Sequence, residues 1–95
     1  MAMVRAHVLI TGRVQGVNFR YFTVQEAQLR GVTGWVRNNP GGQVEAVFEG
    51  DEEDVRWMVD WCHHGPPMAR VDRVVESWQP YTGEFEDFRM ERGWY

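Results

Sequence analysis

The sequence predicts an α+β fold, a βαββαβ sandwich in which two helices cover one face of an antiparallel sheet. Three observations carry this expectation. Stretches of period-two apolar alternation stand on both sides of two segments with helix-terminating signals. The turn sequence Asn39-Pro40-Gly41-Gly42 separates two of the alternating stretches as a hairpin would. At 95 residues the chain fits one domain over residues 1–95, long enough for a single modest core.

Each element follows in order. Val4, Ala6, Val8 and Ile10 alternate with Arg5, His7 and Leu9, giving a first strand from Val4 to Gly12. A helix is expected from Phe19 or Tyr21 to Arg30, with Gly31 as its C-terminal cap and an imperfect apolar face of Phe19, Phe22, Ala27 and Leu29. The second strand covers Val32 to Asn38. The third, Gln43 to Glu49, alternates Val44, Ala46 and Phe48 with Glu45, Val47 and Glu49, the pattern of a half-buried hairpin arm. Asp51 is a helix N-cap, and Glu52, Glu53 and Asp54 suit the positive end of the helix dipole. Val55, Met58, Val59 and Cys62 form one buried helix face, and Gly65-Pro66-Pro67 ends the helix. A fourth strand, Arg70 to Trp78, breaks alternation at Val74-Val75, where a bulge or bend is expected. A short fifth strand spans Phe85 to Met90. This order is the split βαβ, or ferredoxin-like, arrangement.

Composition narrows the function classes. The net charge of −4 lacks the basic surplus of a nucleic-acid binder. All ten basic residues are arginine, which excludes a Schiff-base lysine and a Walker-type phosphate lysine. Cys62 is the single cysteine, so no internal disulfide can form and a reducing cytoplasm is the expected setting. The chain shows neither a membrane span nor a signal peptide. A soluble cytoplasmic monomer, with no nucleic-acid or membrane partner, is the expectation.

Chemistry concentrates in residues 12–20, Gly-Arg-Val-Gln-Gly-Val-Asn-Phe-Arg. Its glycines tolerate unusual dihedrals and let a ligand approach the backbone. The segment opens a helix, whose free amides and dipole favour an anion, and Arg20 adds a guanidinium suited to phosphate oxygens. A tight turn followed by a solvated arginine explains the same spacing, and on spacing alone that reading is favoured. Because a crossover helix joins the first two strands, they should run parallel and end at one edge of the sheet. Asn38 therefore comes near the glycine loop although it lies eighteen positions beyond Arg20.

With Gly34-Trp-Val-Arg-Asn38, the Gly-Gly turn and Val44-Glu45 added, the sequence resembles the acylphosphatase family across nearly its whole length. The resemblance implies a ferredoxin-like fold and cofactor-free, metal-independent hydrolysis of acyl phosphates to a carboxylate and inorganic phosphate. It implies that Arg20 binds the phosphoryl group with loop amides from Gln15, Gly16, Val17, Asn18, Phe19 and Arg20, and that Asn38 orients the attacking water. Departures from the family pattern are Asn18, often glycine or a bulky residue there, Arg30 in place of leucine, and the extended tail Glu91-Arg-Gly-Trp-Tyr95.

Other residues read as structural. Cys62-His63-His64 is poorly spaced for a metal and fits a buried cysteine followed by solvated histidines at a helix end. Trp57 and Trp61 suit the core or its margin, and Arg37 divides evenly between anion steering and simple exposure. The alternative function is a non-hydrolytic module binding phosphate anion or carbamoyl phosphate on the same fold.

Overall fold

The computed structural model describes residues 2–92, and within them the order is β1 (Met3–Arg13), α1 (Phe19–Arg30), β2 (Thr33–Asn38), β3 (Val44–Asp51), α2 (Glu52–Cys62), β4 (Arg70–Gln79) and β5 (Phe88–Met90). The end of the predicted tail, residues 93–95, lies outside the described residues.

The five strands order as β4-β1-β3-β2-β5. β1 and β2 are each antiparallel to β3 between them, so they run parallel to one another and end at one edge, as the crossover requires. The sheet is not purely antiparallel. β5 pairs parallel to β2, with Gly34 opposite Phe88 and Val36 opposite Met90. β5 is also shorter than predicted, because residues 80–87 are used to carry the chain from β4 at one edge to β5 at the other.

The core lies between the sheet and its helices. Ala6, Val8 and Ile10 of β1, Val44, Ala46 and Phe48 of β3, and Val36 of β2 are fully buried there. In α2 the predicted face is observed: Val55, Met58, Val59 and Cys62 are buried, and the Asp51 side chain accepts from the Glu53 amide at 3.2 Å as N-cap. Gly31 ends α1 in the left-handed region at φ 69°, the conformation for which glycine has no Cβ penalty.

Three expectations need correction. The buried stripe of α1 is Phe19, Thr23 and Ala27, whereas Leu29 is 81% exposed and Phe22 is at the surface. Thr23 can be buried because its Oγ1 donates to the Phe19 carbonyl at 2.7 Å. The irregularity of β4 falls at Asp72 rather than Val74-Val75: Thr11 faces Arg73 while Gly12 faces Val71, leaving Asp72 as the extra residue. That bulge puts Val71 and Val74, three apart, both against the core. Finally, β3 is buried on both faces, since Val47 and Glu49 are covered as well.

Arg30, the departure from leucine, has a structural account. Its guanidinium lies 3.4 Å from the Trp57 ring centroid and 3.9 Å from Asp54, joining α1 to α2. Trp61 packs on Phe19 with ring centroids 5.4 Å apart, so both helix tryptophans belong to the core margin.

Candidate active site

The loop between β1 and α1 is pinned by alternate side chains. Val14, Val17 and Phe19 are buried in the core, leaving Gly16 and Asn18 exposed and Arg20 half-buried. Gly16 has φ 75° and a Cβ there would meet nothing within 4 Å, so glycine serves the dihedral and the open approach. Gly12 has a different purpose. A Cβ on it would strike the Arg70 carbonyl, so this glycine allows β1 and β4 to pair closely.

Asn18 is the one non-glycine residue with positive φ among the described residues, at 64°. It is the N-cap of α1, yet its side chain caps no amide; only its carbonyl accepts, from the Phe22 amide at 3.1 Å. The first amides of a helix have no partner within it, and here no side chain supplies one. No acidic residue stands in the first turn, where the dipole would favour one, and Arg20 stands there instead. A helix start that presents amides and a cation is complementary to an anion.

Between this helix start and the ends of β2 and β5 lies a cleft of about 200 Å³. Five of the seven predicted site residues line it: Gly16, Asn18, Phe19, Arg20 and Asn38. The side chains of Gln15 and Val17 do not. Val17 is in the core, and the Gln15 amide donates to the carbonyls of Asn39 at 2.8 Å and Gln43 at 2.9 Å. Arg20 makes no ion pair, unlike Arg5, Arg30, Arg37, Arg56, Arg70 and Arg89. Asn38 Oδ1 is buried and has no hydrogen-bond partner among the described residues.

The other lining residues are Val14, Tyr21 and Met90. Met90 escapes sequence reasoning because it arrives only through the parallel pairing of β5 with β2. Arg37 does not face the cleft. It lies on the opposite face of β2, bonded to Glu45 at 2.8 Å and placed over the Trp35 ring. Cys62 is fully buried, which pushes its thiol pKa upward with a further contribution from Glu76, and His63 Nε2 lies 2.8 Å from Glu76. No cluster of three or more metal-ligating side chains occurs among the described residues.

The acylphosphatase family model matches residues 6–90, from within β1 to the end of β5 and including both helices. The chain belongs to the acylphosphatase family. It is 59% identical to an acylphosphatase of Geobacter sulfurreducens over 90% of this chain and 93% of that protein. An acylphosphatase of Pelotomaculum thermopropionicum is 53% identical, with 95% of this chain and 98% of that one covered. Among solved structures, that of acylphosphatase from Bacillus subtilis superposes with a TM-score of 0.88 at 32% identity, covering 93% of this chain and 98% of that chain. Arg20 and Asn38, which end the two sequence stretches that carry the resemblance, both line the cleft. Among the described residues no helix is long and apolar enough to cross a membrane.

Proposed function

We propose that this chain hydrolyses acyl phosphates to a carboxylate and inorganic phosphate, with Arg20 and the amides of residues 15–20 holding the phosphoryl group and Asn38 holding the water. The observation that carries the assignment is the buried, unpartnered Asn38 Oδ1 in the same cleft as an arginine free of carboxylates. A buried acceptor without a partner costs about 1–3 kcal/mol, so its retention calls for a purpose, and a water hydrogen would satisfy it.

The water oxygen attacks phosphorus as the bond from phosphorus to the acyl oxygen breaks, and the carboxylate leaves with the bonding pair. Its conjugate acid has a pKa of about 4 to 5, so departure needs no general acid. The water proton passes to a phosphoryl oxygen; neither a carboxylate nor an imidazole lines the cleft. Loose phosphoryl transfer calls for charge stabilisation and alignment, which an arginine, helix-start amides and one carboxamide supply. Each fixed donor aimed at developing charge is worth about 3–4 kcal/mol by analogy with oxyanion holes. A cytoplasmic monomer acting on a small substrate is the setting we propose, supported by the single buried cysteine.

The test is phosphate release from acetyl phosphate by the purified chain, with and without a chelator, beside an alkyl phosphomonoester. Rapid, chelator-insensitive release from the acyl phosphate and little from the ester is expected, because an alkoxide leaving group needs a general acid and the described lining offers it neither a carboxylic acid nor an imidazolium. If inorganic phosphate binds but no acyl phosphate is turned over, the chain is a binding module. The carbamoyl-phosphate alternative is not favoured, since the relatives at 53–59% identity are acylphosphatases.

A further inference from the structure

Asn38 is the last residue of β2, and few side chains tie the turn beyond it to neighbouring segments: Gln43 Nε2 donates to Thr11 Oγ1 of β1 at 3.3 Å, and Gln15 reaches in from the anion loop. Pro40, Gly41 and Gly42 are exposed, and no residue from Asn38 to Gln43 is buried. The turn closes on itself through the Asn39 amide to the Gln43 carbonyl at 2.8 Å and the Gly42 amide to the Asn39 carbonyl at 3.1 Å. Its tie to the anion loop is Gln15. One nitrogen, Nε2, donates both its hydrogens, to the carbonyls of Asn39 at 2.8 Å and Gln43 at 2.9 Å. Both acceptors flank the turn, and the donor's own backbone lies in the loop between Val14 and Gly16, which line the cleft.

We infer that Gln15 is a positioning residue: its carboxamide clamps the β2–β3 turn to the anion loop and so fixes Asn38 relative to the bound phosphoryl group. The inference rests on the acyl-phosphate reading of the site. The side chain does not reach the ligand, because its nitrogen is fully engaged by the two carbonyls. A primary amide suits this place, since two carbonyls require two hydrogens on one atom and a charged donor there would add a second cation beside Arg20. Misplacement of a reacting group by about 1 Å can cost about 10²-fold in rate, so a loosened turn reduces turnover without altering the anion contacts.

The experiment is a double-mutant cycle on acetyl phosphate. Gln15→Met keeps length and removes both donors; it is measured alone, with Asn38→Ala, and beside the single Asn38→Ala. Gln15→Met should lower kcat about tenfold, the scale of a partial misplacement. Competitive inhibition by inorganic phosphate should move less than about twofold, the usual limit of additivity error. In the Asn38→Ala background the same change should cost under about twofold, because the residue it positions is gone. A full tenfold loss in that background overturns the inference, as does a phosphate affinity that falls in step with kcat, or an unchanged kcat in Gln15→Met. Folding is checked by circular dichroism, and if Gln15→Met does not fold, Gln15→Asn, one methylene too short to span the gap, replaces it in the cycle. A wild-type chain that releases no phosphate overturns the functional reading itself, whereas an active wild type with additive losses removes only the clamp.

Discussion

The two ends of β3 treat buried polar atoms in opposite ways. At the far end, Glu49 is wholly buried and both its oxygens are engaged. Oε2 accepts from the Thr82 amide and hydroxyl at 2.9 Å each and from Arg5 at 3.2 Å, while Oε1 accepts from the Gly83 amide at 3.1 Å. That carboxylate ties residues 80–87 across the open face of the sheet. At the near end, beside Val44, Asn38 is half-buried, yet its Oδ1 is covered and accepts nothing from the described residues. Burial is common to both places, and satisfaction is what separates them. A saturated polar group is committed to the fold, whereas an unsatisfied one beside an unpaired arginine is available to a ligand.

The sharpest way to break this contrast is to remove the cation. Arg20→Ala should lower kcat/KM on acetyl phosphate by about 10³–10⁵, the range for an arginine that stabilises phosphoryl-transfer charge, and weaken inhibition by phosphate as well. Arg20→Lys should recover little, since a point charge does not replace the planar fork. Unfolding in urea should scarcely change, because Arg20 has no ion pair to lose; a large stability loss would make Arg20 a structural residue. The converse change is Glu49→Ala. It takes the acceptor from the Thr82 and Gly83 amides, while Arg5 keeps Glu84 at 2.7 Å, so the loss is that of hydrogen bonds to a charged group, about 1.5–3 kcal/mol. Urea unfolding should show that loss, while kcat per folded molecule stays near wild type. A fall in kcat as great as the fall in stability would mean that the two ends are coupled.

Asn38→Ala comes next. Turnover should drop about 10²-fold, the scale of one lost positioning or transition-state contact, with phosphate inhibition nearly unchanged. Stability should hold or rise slightly, because the substitution removes a buried acceptor that has no partner. Loss of phosphate affinity as severe as that of Arg20→Ala would end the division of labour between cation and carboxamide.

How much of this was legible in the chain depends on whether the decisive contact is local. α2 could be read in full, since Asp51 caps the residues next to it and Val55, Met58, Val59 and Cys62 repeat at helical spacing. α1 was misread at its buried face because Thr23 counts as polar in any pattern, and only its bond to the Phe19 carbonyl lets it sink. The double burial of β3 was hidden for a non-local reason: its cover, residues 80–87, is polar and glycine-containing and lies more than thirty positions along the chain (Glu49 to Gly83). In the site, Arg20 and Asn38 could be brought to one edge by the handedness and direction of the crossover alone. The side-chain direction of Gln15 and the arrival of Met90 could not, because each depends on a register that only the folded sheet sets.

The smallest expected effect is a pH dependence, and it lies between the two ends, at Glu45. Burial alone would raise this carboxyl, but hydrogen bonds from His7, Arg37 and Asn39, with the charge of Arg37, outweigh it and hold the pKa below the ordinary 4.5. His7 Nε2 is 2.6 Å away and Arg37 approaches at 2.8 Å. A carboxyl with a depressed folded pKa contributes stability above its unfolded pKa, and that contribution disappears as pH falls through the folded value. Glu45→Gln should therefore be destabilised at pH 7 by about 1 kcal/mol, the net worth of a hydrogen-bond set at a partly buried site. Carried down from pH 7 toward pH 3 in urea titrations, the gap between wild type and variant should stay constant at first and then close below 4.5. Other carboxylates titrate in both proteins and cancel in the difference. A gap that persists undiminished at pH 3 would show that the carboxyl holds the cluster without its charge, and no gap at pH 7 would show that packing of Arg37 on Trp35 suffices. Because the Asn39 side chain, one residue past Asn38, is among the groups that lower the Glu45 pKa, a parallel change in kcat would extend the clamp of the turn to this second face of the sheet. An unchanged kcat leaves Gln15 as its holder.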